Sequence, residues 1–153
     1  FASLVKQYAF RQTACEADWL IGAELLTDAV SGTALRSLVA PGTAYDDPVL
    51  GKDPQPATMD AYVHSETDKG GVHINSGIPN RAFYLAATKL GGFAWEKAGK
   101  IWYETIRGKA LRPTATFRQF AKRTVTVAGH MFGSSSYERM AVTEAWTEVG
   151  IKP

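Results

Sequence analysis

The sequence predicts a mainly α-helical fold of five helices, with a long loop-rich segment after the first helix. Apolar residues recur every three to four positions in five separate segments, which is the spacing of one face of a helix. Between residues 40 and 60, turn-forming residues without periodicity take their place. With 153 residues, 45% of them hydrophobic, the chain has the size and composition of one globular domain, and we expect residues 1–153 to form it.

Three helices are predicted before residue 110. Residues 1–9 place large apolar side chains one helical turn apart, namely Phe1, Leu4, Val5 and Tyr8. Residues 81–90 carry an apolar face and end at a glycine pair; the members are Phe83, Ala86, Ala87, Leu90, Gly91 and Gly92. Residues 97–109 carry a third stripe and end before Pro113; its members are Ile101, Trp102, Thr105 and Ile106.

The clearest helix in the sequence is predicted from residue 117 to residue 131. Its stripe continues over four turns: Phe117, Phe120, Ala121, Thr124, Val127, Ala128 and Met131. Gly133 ends it, and Ser135 with Glu138 three residues later forms a predicted capping box for a last helix. That helix carries Met140, Ala141, Ala145 and Val149 and ends at Gly150.

The long loop from Ala40 to Asp60 is rich in proline, glycine and aspartate. Its acidic residues, Asp46, Asp47 and Asp53, lack the alternating ligand spacing of a calcium hand, so we expect them in solvated turns. Loops of this length inside a domain are more often functional or covered by a partner than idle.

Composition excludes several function classes. Seventeen Lys and Arg stand against 15 Asp and Glu, without a basic arm, which argues against a nucleic-acid partner. No apolar run approaches the roughly 18 residues of a membrane span, and a single cysteine excludes a disulfide scaffold. The glycine-rich motifs of nucleotide-binding proteins, G-x-x-x-x-G-K-[ST] and G-x-G-x-x-G, and the G-x-S-x-G motif of serine hydrolases are missing. His64, His73 and His130 are not spaced as metal ligands, so no metal site is predicted within this chain.

The most distinctive local motif is a glycine-flanked histidine, His73, with Asp68 five residues earlier and a predicted helix directly after it. Gly70 and Gly71 allow positive φ angles or close backbone approach. The carboxylate could bond one imidazole nitrogen, which would orient the ring and favour its protonated form. From the residues alone, a pair that only staples a turn remains the alternative.

The segment from Gly70 to Asn80, GGVHINSGIPN, resembles the histidine motif of the thermolysin family of secreted zinc metallopeptidases, in its C-terminal helical half. Residues 30–37, VSGTALRS, resemble the arginine-bearing loop of that family. Further segments follow in the family's order, at residues 99–103, 111–114 and 145–150, so the resemblance covers nearly the whole chain.

The resemblance implies an endopeptidase that cleaves on the N-terminal side of bulky apolar residues. It implies that His73 donates a hydrogen bond to the tetrahedral oxyanion, and that Asp68 orients His73 and holds it protonated. Arg36 would bond the substrate carbonyl, while Leu35 and Ile21 would line the apolar pocket that receives the side chain after the scissile bond.

The departures from the family pattern concern metals. The zinc ligands and general base, in H-E-x-x-H and a Glu on the next helix, are not in this chain. We expect them before Phe1, in a zinc-binding N-terminal domain, so that the chain alone is inactive and its partners are that domain and a peptide substrate. Lys6, Leu20 and Ala23 stand where the family has acidic residues, which makes calcium doubtful and favours the protealysin-like branch.

Two alternatives remain at this level. The chain could be a non-catalytic helical module that binds peptides or partners through the surface of Arg36 and Leu35. The family favours secretion, although its calcium-poor branch also permits an intracellular location.

Overall fold

The computed structural model describes residues 1–153 and confirms the mainly helical fold with its five predicted helices. These are α1 (Ala2–Phe10), α3 (Gly77–Leu90), α4 (Ala98–Arg107), α5 (Phe117–Phe132) and α6 (Tyr137–Glu148). A short irregular helix, α2 (Asp68–Asn75), precedes α3 and was not predicted. Two antiparallel ladders join β1 (Leu20–Ile21) to β2 (Arg36–Ser37) and β3 (Asp46–Asp47) to β4 (Gly51–Lys52). Single 3₁₀ turns span Ala23–Leu25 and Met59–Ala61.

Helix ends differ from the predictions for local reasons. α3 begins four residues before the predicted start, because Pro79 lies in its first turn, where backbone N–H groups have no helical partner to lose. The predicted capping box at Ser135 is wrong: Ser136 is the N-cap of α6, and its hydroxyl accepts from the Arg139 N–H at 3.2 Å. A capping box is present instead at the start of α5, between Thr116 and Gln119.

The hydrophobic core lies in the bundle of α3, α4, α5 and α6. α6 packs against α3 and α5, and α4 packs against α5. The indole rings of Trp102 and Trp146 stack with their centroids 5.9 Å apart, and Trp146 donates from Nε1 to Thr124 Oγ1 at 2.8 Å. Because Trp146 is fully buried, this hydrogen bond satisfies the polar atom that the ring carries into the core.

The predicted apolar stripes are buried at their centres but not at their edges. In α1 only Leu4 enters the core, next to Gly99 at the start of α4, while Phe1, Val5 and Tyr8 stay more than half exposed. Ile106 and Met140 are likewise exposed at the outer edges of α4 and α6. None of the helices combines the length and the apolar character that crossing a membrane requires.

The acidic residues of the long loop are not simply in solvated turns, as had been expected. Asp47 and Asp53 are buried, and only Asp46 is exposed. The Asp47 carboxylate accepts from the backbone N–H groups of Ser31, Val49 and Leu50 at 2.8–2.9 Å. These hydrogen bonds, that from the Leu50 N–H contributing most, lower the pKa of Asp47 below its usual value. The two carboxylates therefore organise the loop from within.

Candidate active site

The site begins with a turn of unusual backbone conformation. Asp68, Lys69, Gly70 and Gly71 all have positive φ angles, from 50° to 85°, so α2 starts left-handed and becomes right-handed only at Val72. Two glycines make this conformation accessible, as the sequence indicated, whereas Asp68 and Lys69 adopt it against their own preference, at about 1–2 kcal/mol per residue. Surrounding interactions must therefore hold the turn in place.

Asp68 and His73 are brought together by this turn. Asp68 Oδ1 bonds His73 Nδ1, and Asp68 Oδ2 accepts from the backbone N–H groups of His73 at 2.9 Å and Ile74 at 3.3 Å. The hydrogen bond with the His73 ring, supported by both N–H groups, lowers the pKa of the Asp68 carboxyl. The His73 side chain is 82% exposed, against 23% for Asp68, and its Nε2 has no partner within the chain. A carboxylate-oriented imidazole thus presents a free ring nitrogen to the surroundings.

Asn75 ties the turn to the preceding segment. Its side chain is buried, accepts from the Val63 N–H at 2.9 Å and donates to the Val63 carbonyl at 2.8 Å. A Cβ atom at Gly71 would lie 2.9 Å from Asn75 Nδ2, so glycine is required there for space as well as for its φ of 74°.

Asp53 and Gln55 connect the long loop to His73, and sequence reasoning did not single out Gln55. Asp53 accepts from the N–H groups of Gly42, Ala44 and Gln55 at 3.0–3.3 Å. The Gln55 amide then reaches the backbone of His73. The bond from Asp53 to the amide two residues later is the local aspartate turn that a sequence can indicate, but the contact of Gln55 with His73 spans 18 residues and has no sequence signal.

Arg36 and Ile21 lie opposite each other in the β1–β2 ladder. The half-buried Arg36 guanidinium donates from Nη1 to the Leu35 carbonyl at 2.6 Å and makes no ion pair with a carboxylate. Ile21 and Arg36 also line one cavity, of about 360 Å³, together with Leu38, Phe83 and Phe120. Leu35 is bonded to Ile21 through the backbone but lies outside this lining and packs beside Gly22.

The same cavity is lined by Pro79 and Asn80, in the first turn of α3. These residues lie six and seven positions after His73 in the sequence, in the helix that follows the histidine. The structure therefore brings Ile21 and Arg36 together in one cavity, and it pairs Asp68 with His73 in α2.

Comparison with known proteins decides the family. The model of the thermolysin metallopeptidase α-helical domain matches residues 1–151. The chain belongs to the thermolysin metallopeptidase family. It is this family's α-helical domain, with the five long helices that the apolar periodicity predicted.

The thermolysin-like domain has relatives of known name. It is 54% identical over 152 residues to an extracellular metalloprotease of Pectobacterium carotovorum subsp. carotovorum, covering 99% of this chain and 43% of that protein. It is 35% identical over 161 residues to thermolysin of Alicyclobacillus acidocaldarius subsp. acidocaldarius, covering 99% and 26%.

Among solved structures, the precursor of protealysin, a metalloproteinase from Serratia proteamaculans, superposes with a TM-score of 0.95 and 59% identity, covering 99% of this chain and 46% of that one. The thermolysin-like domain thus spans less than half the length of the relatives it matches. The higher identity to protealysin than to thermolysin agrees with the branch that the sequence indicated.

The thermolysin-like domain has few side chains placed to bind a metal ion. No three side chains among His, Cys, Asp and Glu are grouped so that they could hold a metal ion together. Asp18, two residues before Leu20, has Lys6 Nζ 2.6 Å from its Oδ2. Partial burial alone would raise the pKa of Asp18, but the bonds from Lys6 and the Leu20 N–H outweigh it and lower this pKa.

Proposed function

We propose that this chain forms the C-terminal, substrate-binding half of a zinc endopeptidase in which His73 stabilises the reaction's oxyanion. Hydrolysis of a peptide bond passes through a tetrahedral species whose former carbonyl oxygen carries negative charge. A donor already aimed at that oxygen lowers the barrier, because no reorganisation is needed when the charge develops. The observation that carries the proposal is the exposed His73 ring, oriented at Nδ1 by Asp68 and free at Nε2.

In this proposal Asp68 has two tasks. It orients the imidazole so that Nε2 faces the substrate, and it accepts the Nδ1 proton of a ring that must carry a proton on Nε2 as well in order to donate to the oxyanion. The lowered pKa of Asp68 supports this role, because the hydrogen bond with the His73 ring that lowers it stabilises the ionised carboxyl.

Arg36 and Ile21 are proposed to bind the substrate beside His73. Arg36 has no carboxylate partner, so its remaining N–H groups are available to a peptide carbonyl. The cavity that it shares with Ile21 has apolar and aromatic walls, which suit a bulky apolar side chain after the scissile bond. Leu35 is kept in the proposal as a residue at the edge of this surface, 37% exposed.

Zinc, which the family implies, does not fit the residues of this chain, because they form no ligand group. We propose that its ligands and the general base lie outside these 153 residues, in a zinc-binding N-terminal domain; the proposal agrees with relatives more than twice as long as the part that matches this chain. Calcium is not proposed near Asp18, because the Lys6 ammonium group already pairs with that carboxylate. The extracellular names of relatives favour secretion of the complete enzyme.

Replacement of His73 by alanine tests the proposal. In the complete enzyme, His73→Ala is expected to lower kcat by about 10²- to 10³-fold, the usual loss for one oxyanion donor, with little change in KM. The exposed side chain contributes little to packing, so the thermal midpoint should stay unchanged. The measurement is steady-state hydrolysis of a capped dipeptide with leucine after the scissile bond.

The matched control is His130→Ala, which removes an exposed histidine on α5 that makes no side-chain hydrogen bond, and which should leave kcat unchanged. A change below threefold in His73→Ala would remove the oxyanion role and leave a module that only binds peptides. The isolated chain supplied with zinc serves as a second control and is expected to cleave nothing.

A further inference from the structure

The side chain of Gln55 contacts the backbone carbonyl of His73, whereas Asp68 accepts from the His73 N–H. Gln55 is 4% exposed and donates from Nε2 to the His73 carbonyl at 2.9 Å and to Ser76 Oγ at 2.7 Å. Ser76 Oγ in turn donates to the same carbonyl at 2.7 Å. Because a carbonyl oxygen only accepts, the amide nitrogen of Gln55 must face it. The His73 carbonyl is therefore held by two donors.

Gln55 is itself held firmly by the loop. The buried Asp53 carboxylate accepts from the Gln55 N–H and also bonds the Gly42 and Ala44 N–H groups, so one side chain fixes three points of the loop. The loop also approaches the start of α3 closely: a Cβ atom at Gly77 would lie 2.5 Å from the Pro56 carbonyl oxygen and 3.0 Å from Gln55 Cβ. Contacts within the loop and with α3 therefore fix the position of Gln55 independently of its hydrogen bond with His73.

The His73 ring has few other constraints. It is 82% exposed, so packing does not hold it, and Asp68 is its only side-chain partner. Asp68 belongs to the left-handed turn, which two non-glycine residues occupy against their preference. The distance between Asp68 and the His73 ring therefore depends on where the backbone of His73 is held, and that backbone is held at its carbonyl by Gln55 and Ser76.

We propose that Gln55 is a positioning residue that acts through the His73 backbone to keep the imidazole in register with Asp68. This inference rests on the proposed role of His73 in catalysis. In this proposal the long loop has a function, because its residues Asp53 and Gln55 hold the backbone of the active-site turn in position.

The test compares two buried glutamines replaced by methionine in the complete enzyme. Gln55→Met keeps the side-chain length but removes the donor to His73, and kcat should fall between about 10- and 100-fold with KM within twofold. Gln7→Met is the matched control, because Gln7 is also buried and bonds only Ser3 through its side chain; Ser3 lines the cavity of Ile21 and Arg36, but Gln7 contacts neither Asp68 nor His73. Gln7→Met should lower the thermal midpoint but leave kcat unchanged.

Two further readouts separate positioning from a general loss of stability. In a His73→Ala background, Gln55→Met should lower kcat by no more than twofold, because its effect passes through the missing ring. The Nδ1 proton of His73, observed by NMR with histidine-labelled enzyme and assigned by its loss in His73→Ala, should shift or broaden in Gln55→Met but not in Gln7→Met.

The inference fails if Gln55→Met leaves kcat within twofold of the parent, or if it lowers kcat equally with and without His73. If His73→Ala itself leaves kcat nearly unchanged, the proposed function fails separately, and the Nδ1 proton alone then decides: an unshifted signal in Gln55→Met overturns the inference and a shifted one supports it. Should Gln55→Met not fold, Gln55→Glu keeps the shape and places an oxygen against the His73 carbonyl, with the same outcomes expected.

Discussion

The bundle of α3 to α6 and the segment of residues 31–76 are ordered by different interactions. Of the 22 residues in the hydrophobic core, only Leu38 comes from that segment. The segment nevertheless contains five of the chain's nine buried polar residues, which are Ser37, Asp47, Asp53, Gln55 and Asn75. The bundle is held by apolar burial, and the segment is held by side chains that bond its backbone.

This difference matters for the site. Apolar burial is proportional to area and has little direction, so it stabilises helices without setting individual atoms. A buried carboxylate or amide must find partners and loses stability when they move, so each one sets a particular backbone group. Asp68 and His73 belong to the region that is held in the second way.

The largest expected effect on stability comes from removing the centre of the bundle. Trp146→Ala should lower the free energy of unfolding by about 3–5 kcal/mol, through the lost contact with Trp102 and the cavity left behind. Urea unfolding followed by circular dichroism measures the change. A decrease in the free energy of unfolding below 1 kcal/mol would mean that apolar burial does not dominate the bundle. The proposed difference between the bundle and residues 31–76 would then be wrong.

A middle-sized effect is expected where the two regions meet. Gly77→Ala should lower the free energy of unfolding by about 1–3 kcal/mol, because the new Cβ atom would overlap the Pro56 carbonyl oxygen. Gly129→Ala is the matched control, since its new atom would be crowded only by the flexible side chain of Arg139, with the backbone of Ser134 at an ordinary contact distance of 4.0 Å. Alanine should stabilise α5 there by up to about 1 kcal/mol. If both substitutions changed the free energy of unfolding in the same direction, the close approach of Gly77 to the Pro56 carbonyl oxygen would be contradicted.

The smallest expected effect is the pH dependence of the stability that the Asp47 carboxylate contributes to the loop. The pKa of Asp47 is lower in the folded protein than in the unfolded one, so its ionised form stabilises the fold above the unfolded pKa of about 4. That contribution is lost as the pH falls through the folded pKa, because the unfolded state takes up its proton first. The gap in thermal midpoint between the parent and Asp47→Asn should therefore be widest near pH 7 and shrink below about pH 4.

Trp146→Ala provides the contrast in the same series of scans. Its gap from the parent should not follow the titration of Asp47, because no charge is removed. A gap for Asp47→Asn that stayed constant from pH 7 to pH 3 would show that the carboxylate's charge does not hold the loop.

The sequence by itself determined the five long helices, because a repeating apolar face is a local pattern that one packing surface satisfies. It also determined the pairing of Asp68 with His73 and the glycines between them, since all of these residues lie within a single short segment, residues 68–73. Only the tertiary structure decided that α2 starts left-handed, that Asp47 and Asp53 are buried, and that Gln55 reaches the His73 carbonyl. The contacts of Asp47 with Ser31, of Asp53 with Gly42 and of Gln55 with His73 join segments distant along the chain through single hydrogen bonds, which leave no periodicity in the sequence. Only the folded backbone brings such donors and acceptors within hydrogen-bond distance of each other.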